Sequence, residues 1–255
     1  MLLAIDIGNT NIAAGVFKGA ELTGHWRLST AKERTPDEYG ITLSSLLQNR
    51  AIPKDKLTGA IVSCVVPPLK EVFSRAINGY TGIKPVFVEP GIKTGMPILT
   101  DNPKEVGADR IVGAVGAYSI WKCELIVVDF GTAITFDYVT AAGEYAGGVI
   151  APGIRISADA LFEKTALLKR VDFSKPSGVV GRNTADSIRA GLFYGYIALV
   201  DGVVERIKKE TAGKPKVVAT GGYSPIIAKE AKTIDALDEF LVLKGLRKIY
   251  EVNTR

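Results

Sequence analysis

The stretch Leu3-Ala4-Ile5-Asp6-Ile7-Gly8-Asn9-Thr10 decides the fold, because its pattern returns 123 residues later as Ile126-Val127-Val128-Asp129-Phe130-Gly131-Thr132-Ala133. At that offset, without a gap, Val16 falls on Val139, Glu21 on Glu144 and Gly24 on Gly147. Asp-x-Gly can recur by chance, whereas a register shared over residues 3–24 points to a duplicated unit. Each copy reads as a short apolar strand (2–5 and 125–128), Asp-x-Gly, and a second strand (11–17 and 134–139). A turn at Lys18-Gly19 or at Ala141-Ala142-Gly143 leads to a third strand, 22–29 or 145–150.

Outward from the two copies, the periodicity predicts helices over 36–48, 68–78, 154–167, 184–209, 225–231 and 240–250. Further strands are expected at 59–65, 86–88 and 216–219. Strand meanders followed by alternating helices and strands indicate mixed α/β lobes. The boundary is expected within 119–124, giving lobes 1–118 and 119–255.

Composition agrees with a compact chain: of 255 residues 47% are apolar and 23% charged, and no long stretch has the make-up of a disordered segment. The amino terminus lacks a basic n-region, and Asp6 interrupts its apolar run, which argues against a signal peptide. No apolar run approaches the roughly 20 residues that span a bilayer, so neither a membrane nor an extracytoplasmic location is expected. Cys64 and Cys123 sit in apolar stretches and read as free thiols of a reducing cytoplasm, a single disulfide being the alternative. The net charge of +5 comes from scattered Lys and Arg, densest at 206–209 and 244–248, which read as solvated helix faces. Nucleic acid is therefore not an expected partner. An anionic small ligand fits the charge as well.

Asp6-Ile7-Gly8-Asn9-Thr10 places a carboxylate at the end of a buried strand and a glycine in the turn that follows, where the backbone can approach a phosphate closely. The N–H groups of Gly8, Asn9 and Thr10 could cradle phosphate oxygens, with Asp6 holding a metal or its water. The duplicate at Asp129 supplies a second such hairpin. By symmetry Asp129 would stand near Mg²⁺ or a metal-bound water. Thr220-Gly221-Gly222 ends another apolar strand in a turn that suits an adenosine, or simply a strand-to-helix loop. Other nucleotide signatures fail: Gly213-Lys214 has Lys208 where a P-loop needs glycine, and no Gly-x-Gly-x-x-Gly follows a strand. His25 is the only histidine, in a predicted strand, and reads as structural.

Asp101-Asn102-Pro103-Lys104-Glu105 reads as a helix start, with Asn102 as cap and Glu105 completing a capping box, and the helix should run to about Tyr118. Projected at 100° per residue, Ala108, Ile111, Val112, Val115 and Tyr118 form an apolar stripe. Asp109 and Arg110 lie away from it, beside Gly113, Gly116 and Ala117. Two interior glycines at about 1 kcal/mol each relative to alanine require a packing or functional reason.

Taken in order, Asp6-x-Gly-Asn-Thr10, Gly107-x-Asp-Arg110, Asp129-x-Gly-Thr-Ala133, Gly147-Gly-Val-Ile-Ala-Pro-Gly153 and Thr220-Gly-Gly222 resemble the type III pantothenate kinases over nearly the whole chain. The resemblance implies two duplicated ribonuclease-H-like lobes of the actin-like ATPase kind, with an ATP cleft between them. It also implies a homodimer, and ATP-dependent phosphorylation of pantothenate to 4′-phosphopantothenate, the first step of coenzyme A synthesis. It implies an ATP site with Mg²⁺ running from Asp6 through Ile7, Gly8, Asn9, Thr10, Asn11 and Ile12 to Ala13, together with Thr132. Gly107, Ala108, Asp109, Arg110 and Thr184 are the implied pantothenate contacts, and Asp109 the implied catalytic base. For Asp129 the resemblance implies a monovalent cation, K⁺ or NH₄⁺, in place of Mg²⁺. One position departs: family members often carry a tyrosine before the Asn-Pro of this region, where this chain has Thr100. Two alternatives stand beside this reading. One is a kinase for another small hydroxylated metabolite, although such sugar kinases usually carry insertions or a cysteine-rich zinc loop. The other is a silent nucleotide-binding regulatory relative.

Overall fold

A computed structural model describes residues 1–165, 168 and 170–254. It packs as two units. The first comprises Met1–Pro97, Asp101–Ser119 and Leu241–Arg255, and the second Ile98–Thr100 and Ile120–Phe240.

In the first unit, β1 (Leu2–Ile7), β2 (Asn11–Lys18), β3 (Glu21–Ser29), β4 (Gly59–Cys64) and β5 (Val86–Phe87) form one sheet in the order β3-β2-β1-β4-β5. β1 pairs antiparallel with β2 and parallel with β4. Strand alternation sends Leu3, Ile5 and Ile7, Ile12, Ala14 and Val16, and Ala60 and Val62 into one core. There they meet Tyr39, Leu43 and Leu47 of α1 (Pro36–Asn49) and Leu69, Phe73 and Ile77 of α2 (Pro67–Thr81). Thr35 and Glu38 form a complete capping box at the start of α1, and α2 stops at Gly82, which takes φ +72°.

The opposite face of this sheet is covered by the C-terminal helix. Label the helix Ala108–Trp121 α3, followed by α4 (Ile154–Glu163), α5 (Thr184–Thr211), α6 (Ser224–Ile227) and α7 (Leu241–Asn253). α7 packs on β1, β2 and β4 through Leu241, Leu243, Leu246 and Ile249, all buried. Gly15 lies against Leu243, and the Arg247 guanidinium stands 5.7 Å from the Phe17 ring centroid. By the same alternation Asp6 and Ser63 belong to the α7 face.

In the second unit, β6 (Leu125–Phe130), β7 (Ala133–Val139), β8 (Tyr145–Pro152), β9 (Lys216–Gly221) and β10 (Ala236–Leu237) follow the order β10-β9-β6-β7-β8. β6 is antiparallel to β7 and parallel to β9, so β1, β2, β3, β4 and β5 correspond to β6, β7, β8, β9 and β10. The duplication read from sequence is a duplicated topology, with one correction. Asn11 pairs with Ser29, and Ala133 pairs with Pro152, so β7 is slipped by one residue from the gapless match. The turn after Asp129 is shorter by that residue, and Val139 is the counterpart of Phe17, not of Val16.

One face of the second sheet is filled by Leu192, Tyr196, Val200 and Val204 of α5. By length and mean hydropathy α5 could cross a membrane, but it packs this stripe against Ile126, Val128, Phe130 and Phe136. The helix expected over 154–167 ends at Glu163, and Ala166 and Leu167 lie outside the described residues. The helix expected over 225–231 is a single turn, α6. Cys64 and Cys123 are free and half-buried.

The helix expected from Pro103 begins later. Pro103–Glu105 form only a 3₁₀ turn, capped by the Asn102 side chain, whose Oδ1 accepts from Lys104 N–H, while Asn102 Nδ2 donates to Glu105 Oε1 at 2.6 Å. The chain then straightens at Val106, and α3 starts at Ala108, with the Gly107 carbonyl accepting from Arg110 and Ile111 N–H. Glu105 thus bonds the Asn102 side-chain amide where a capping box would take the backbone N–H, and the turn does not carry on into an α-helix. α3 is buried on all sides from Ile111 to Ala117. Of its two interior glycines, Gly116 has a packing reason: a Cβ there would press into the Leu241 carbonyl and stand 3.1 Å from Gly245 N, whereas one on Gly113 would meet only Val242 Cγ2 at 4.0 Å.

Candidate active site

In the first unit, Asp6 sits next to last in β1, between Ala13 of β2 and Ser63 of β4. Ser63 is fully buried. The turn that follows is closed by Gly8 N–H on the Asn11 carbonyl at 3.0 Å, and a Cβ on Gly8 would stand 2.9 Å from that same oxygen. Thr30, just past β3, donates its hydroxyl to the Gly8 carbonyl at 2.7 Å and its N–H to the Thr10 carbonyl at 3.0 Å. Asn9 at the tip is exposed. At the end of β4, burial pushes the Cys64 thiol up from its ordinary pKa; its Sγ donates to the Val66 carbonyl at 3.2 Å, and the charge of Asp6 adds to the upward shift.

Asp109 occupies the first turn of α3, half-buried, and accepts from Arg110 N–H at 2.8 Å through Oδ1. Burial holds its carboxyl above the ordinary carboxylate range, against the lowering by that N–H bond and by the Arg110 charge. A carboxylate raised in this way is a stronger base than an exposed aspartate. Helix α3, pinned by α7, fixes where it stands.

The second unit brings three sequence motifs together. Asp129 lies between Thr135 of β7 and Thr220 of β9, the position Asp6 holds between Ala13 and Ser63. Gly221 has φ +91°, and a Cβ there would press on Asp129 Oδ1 and lie 2.7 Å from Phe130 N. Gly153 backs the other side of the turn: its Cβ would meet the Thr132 carbonyl and come within 2.8 Å of the Gly131 carbonyl. The Tyr196 hydroxyl holds that segment, 3.0 Å from the Pro152 carbonyl, 3.2 Å from that of Gly153 and 2.6 Å from Ser157 Oγ. Thr184 is the first residue of α5; the cap is Asn183, whose side chain accepts from Asp186 N–H at 2.9 Å. Thr100 stands beside Gly147, with its Cγ2 3.9 Å from the place of a Gly147 Cβ.

Among the described residues no three His, Cys, Asp or Glu side chains gather into a metal cluster. Mg²⁺ carried on a nucleotide needs none, since it keeps waters and phosphate oxygens and takes one or two carboxylates. Asp6 suits that place.

The family model for type III pantothenate kinase matches residues 2–206. A type III pantothenate kinase of Geobacter sulfurreducens is 53% identical over 253 residues, covering 99% of this chain and 99% of its own. The chain belongs to the type III pantothenate kinase family. Solved structures of lower identity agree on the fold. A Campylobacter jejuni protein described as a Baf family transcriptional activator superposes with TM-score 0.62 at 23% identity, over 98% of both chains. A ROK family glucokinase of Streptomyces griseus, bound to glucose and AMPPNP, gives 0.54 at 12%, again over 98% of both. A type III pantothenate kinase is a phosphotransferase working with ATP and a divalent metal. Most residues that the motif reading singled out lie at the ends of elements or in turns, residues 147–152 of β8 being the exception. Gly153, Tyr196 and Thr30, which shape those turns, carried no motif of their own or only the edge of one.

Proposed function

We propose that the chain transfers the γ-phosphoryl group of ATP to the primary hydroxyl of pantothenate, giving ADP and 4′-phosphopantothenate for coenzyme A synthesis. The observation that carries the reading is Asp109: a half-buried carboxylate, raised by burial and held in the first turn of α3, within a chain of this kinase family. Asp109 accepts the proton as the hydroxyl oxygen bonds to the γ-phosphorus and the bond to the β–γ bridging oxygen breaks. General-base help of this kind contributes about 10²–10⁴-fold, the rest coming from positioning and charge neutralisation. Mg²⁺, held through Asp6, would neutralise phosphate charge when bound.

The turn from Gly8 to Thr10 takes ATP phosphates on its N–H groups, Asn11, Ile12 and Ala13 continue that contact, and Thr132 serves the nucleotide from the second copy. Gly107, Ala108, Arg110 and Thr184 take pantothenate, with the Arg110 guanidinium suited to its carboxylate. Asp129 holds a potassium or ammonium ion. The enzyme works as a cytoplasmic homodimer; of its duplicated halves 1–118 and 119–255, the second lends α7 to the packing of the first unit.

A coupled ADP assay with pantothenate against a panel of sugars and acetate tests the substrate, with Asp109→Asn alongside. Turnover on pantothenate alone, lost in the variant while ATP still binds, is expected. Near-normal turnover by Asp109→Asn rejects the base. Equal rates in sodium and in potassium reject the cation at Asp129.

A further inference from the structure

We propose that Thr30 is a positioning residue for phosphoryl transfer, fixing the first phosphate turn so that its backbone N–H groups face the nucleotide. This rests on the reading of Gly8–Thr10 as a phosphate turn. Within the hairpin, the Gly8 N–H is tied to the Asn11 carbonyl. The next peptide, Gly8–Asn9, begins at a residue without a Cβ and can take either of two orientations at little cost. One presents the Asn9 N–H to an anion, and the other presents the Gly8 carbonyl, which repels it.

Thr30 chooses between them. Its hydroxyl donates to the Gly8 carbonyl at 2.7 Å, and the peptides here are trans and planar, so the Asn9 N–H lies on the side away from Thr30. Its own N–H takes the Thr10 carbonyl at 3.0 Å, turning the Asn11 N–H away in the same manner. One residue thus binds a carbonyl at each end of the turn.

Thr30 is in turn anchored. The Ala31 N–H donates to the Tyr39 hydroxyl at 3.1 Å, and that hydroxyl donates to the Ala31 carbonyl at 2.8 Å. Tyr39 is fully buried in α1, its ring centroid 4.5 Å from that of Phe73. The orientation of an exposed turn is therefore set by the core of the first unit through residues 30 and 31.

The experiment compares Thr30→Val, which keeps the shape and removes the hydroxyl, with Thr30→Ser, which restores it, and with Gly8→Ala. Initial rates with each substrate varied, and melting temperatures, are the readouts. For Thr30→Val, kcat/KM for ATP should fall about tenfold, the worth of one hydrogen bond to a backbone carbonyl. The KM for pantothenate should stay within about twofold and Thr30→Ser within about threefold of the parent. Should the valine variant not fold, Thr30→Ala carries the same comparison. A hydroxyl-free variant that uses ATP normally while Gly8→Ala does not overturns the role of Thr30 alone. So does a serine variant as impaired as valine, or a loss shared equally by both substrates with a lowered melting temperature. If Gly8→Ala also uses ATP normally, the phosphate-turn reading falls with it.

Discussion

Gly107 stands directly against Asp109: a methyl group on Gly107 would lie 2.5 Å from Oδ1 of the carboxylate. The residue before the first turn of α3 thus leaves room for the side chain that the proposed chemistry needs. Gly107→Ala should swing the carboxylate aside while leaving the helix intact. A displacement of this order costs about 10²-fold in a positioned reaction. Turnover should fall by that order with the far-ultraviolet circular dichroism unchanged, and a steady-state assay beside the spectrum checks both.

The raised pKa of Asp109 makes a second prediction, about rate. A general base must be ionised, so kcat/KM for pantothenate should decline on the acid side as Asp109 is protonated. Burial is the largest cause of the shift and raises it, so that limb should lie at higher pH than for an exposed aspartate. A pH–rate profile measures it. A limb at the ordinary carboxylate range would mean that Asp109 is more solvated during turnover than in this structure.

The same shift carries a consequence for stability, of opposite sense to the usual aspartate. Because the folded-state pKa lies above the unfolded one, the stability Asp109 contributes is full below the unfolded pKa and is lost as pH rises through the folded value. At neutral pH the ionised, half-buried group therefore opposes folding. Asp109→Asn keeps an oxygen able to accept the Arg110 N–H and removes the charge. It should melt higher than the parent at pH 7 while losing turnover, and the gain should vanish in acid. Thermal melts at two pH values decide it.

How much of this was open to reading in the sequence depended on the range of the interaction. Apolar runs and turn residues fix strands locally, so β1, β2, β6, β7 and α5 were legible, and so was the duplication, because its two copies keep the same Asp-x-Gly pattern. The slip of β7 was not, since Val139 is apolar and fits either register, and the ladders with β6 and β8 decide. The late start of α3 was missed because Asn102 and Glu105 do pair, but through their side chains and around a 3₁₀ turn, not as the expected capping box of a helix. The carboxylates proposed for the site, Asp6, Asp109 and Asp129, stand out in the sequence because short motifs flank them. Thr30 does not. It is a single hydroxyl ending an ordinary strand, and its partner Gly8 is brought to it only by the pairing of β2 with β3.

Gly221 makes a test of the second turn. Its φ of +91° already disfavours any side chain, and the place of a Cβ is taken by Asp129 and the Phe130 amide. Gly221→Ala should cost about 1–3 kcal/mol of stability from backbone strain, read by urea denaturation. If Asp129 holds the monovalent cation, the variant should also lose its dependence on potassium, because the carboxylate is what the methyl displaces.

The α3–α7 contact gives the last prediction. A Cβ on Gly245 would press into the Val112 carbonyl, and one on Gly116 into the Leu241 carbonyl, so the two helices meet backbone to backbone. Gly245→Ala and Gly116→Ala should each destabilise by about 1–3 kcal/mol through overpacking, despite alanine's better helix propensity. Their effects should not add. Once one methyl has pushed the helices apart, the second meets less resistance, and residues in contact couple by about 0.5–3 kcal/mol. A double-mutant cycle in urea measures that coupling. Strict additivity would mean that α7 yields separately at each position, and then Asp109, carried at the head of α3, would not owe its place to the C-terminal helix.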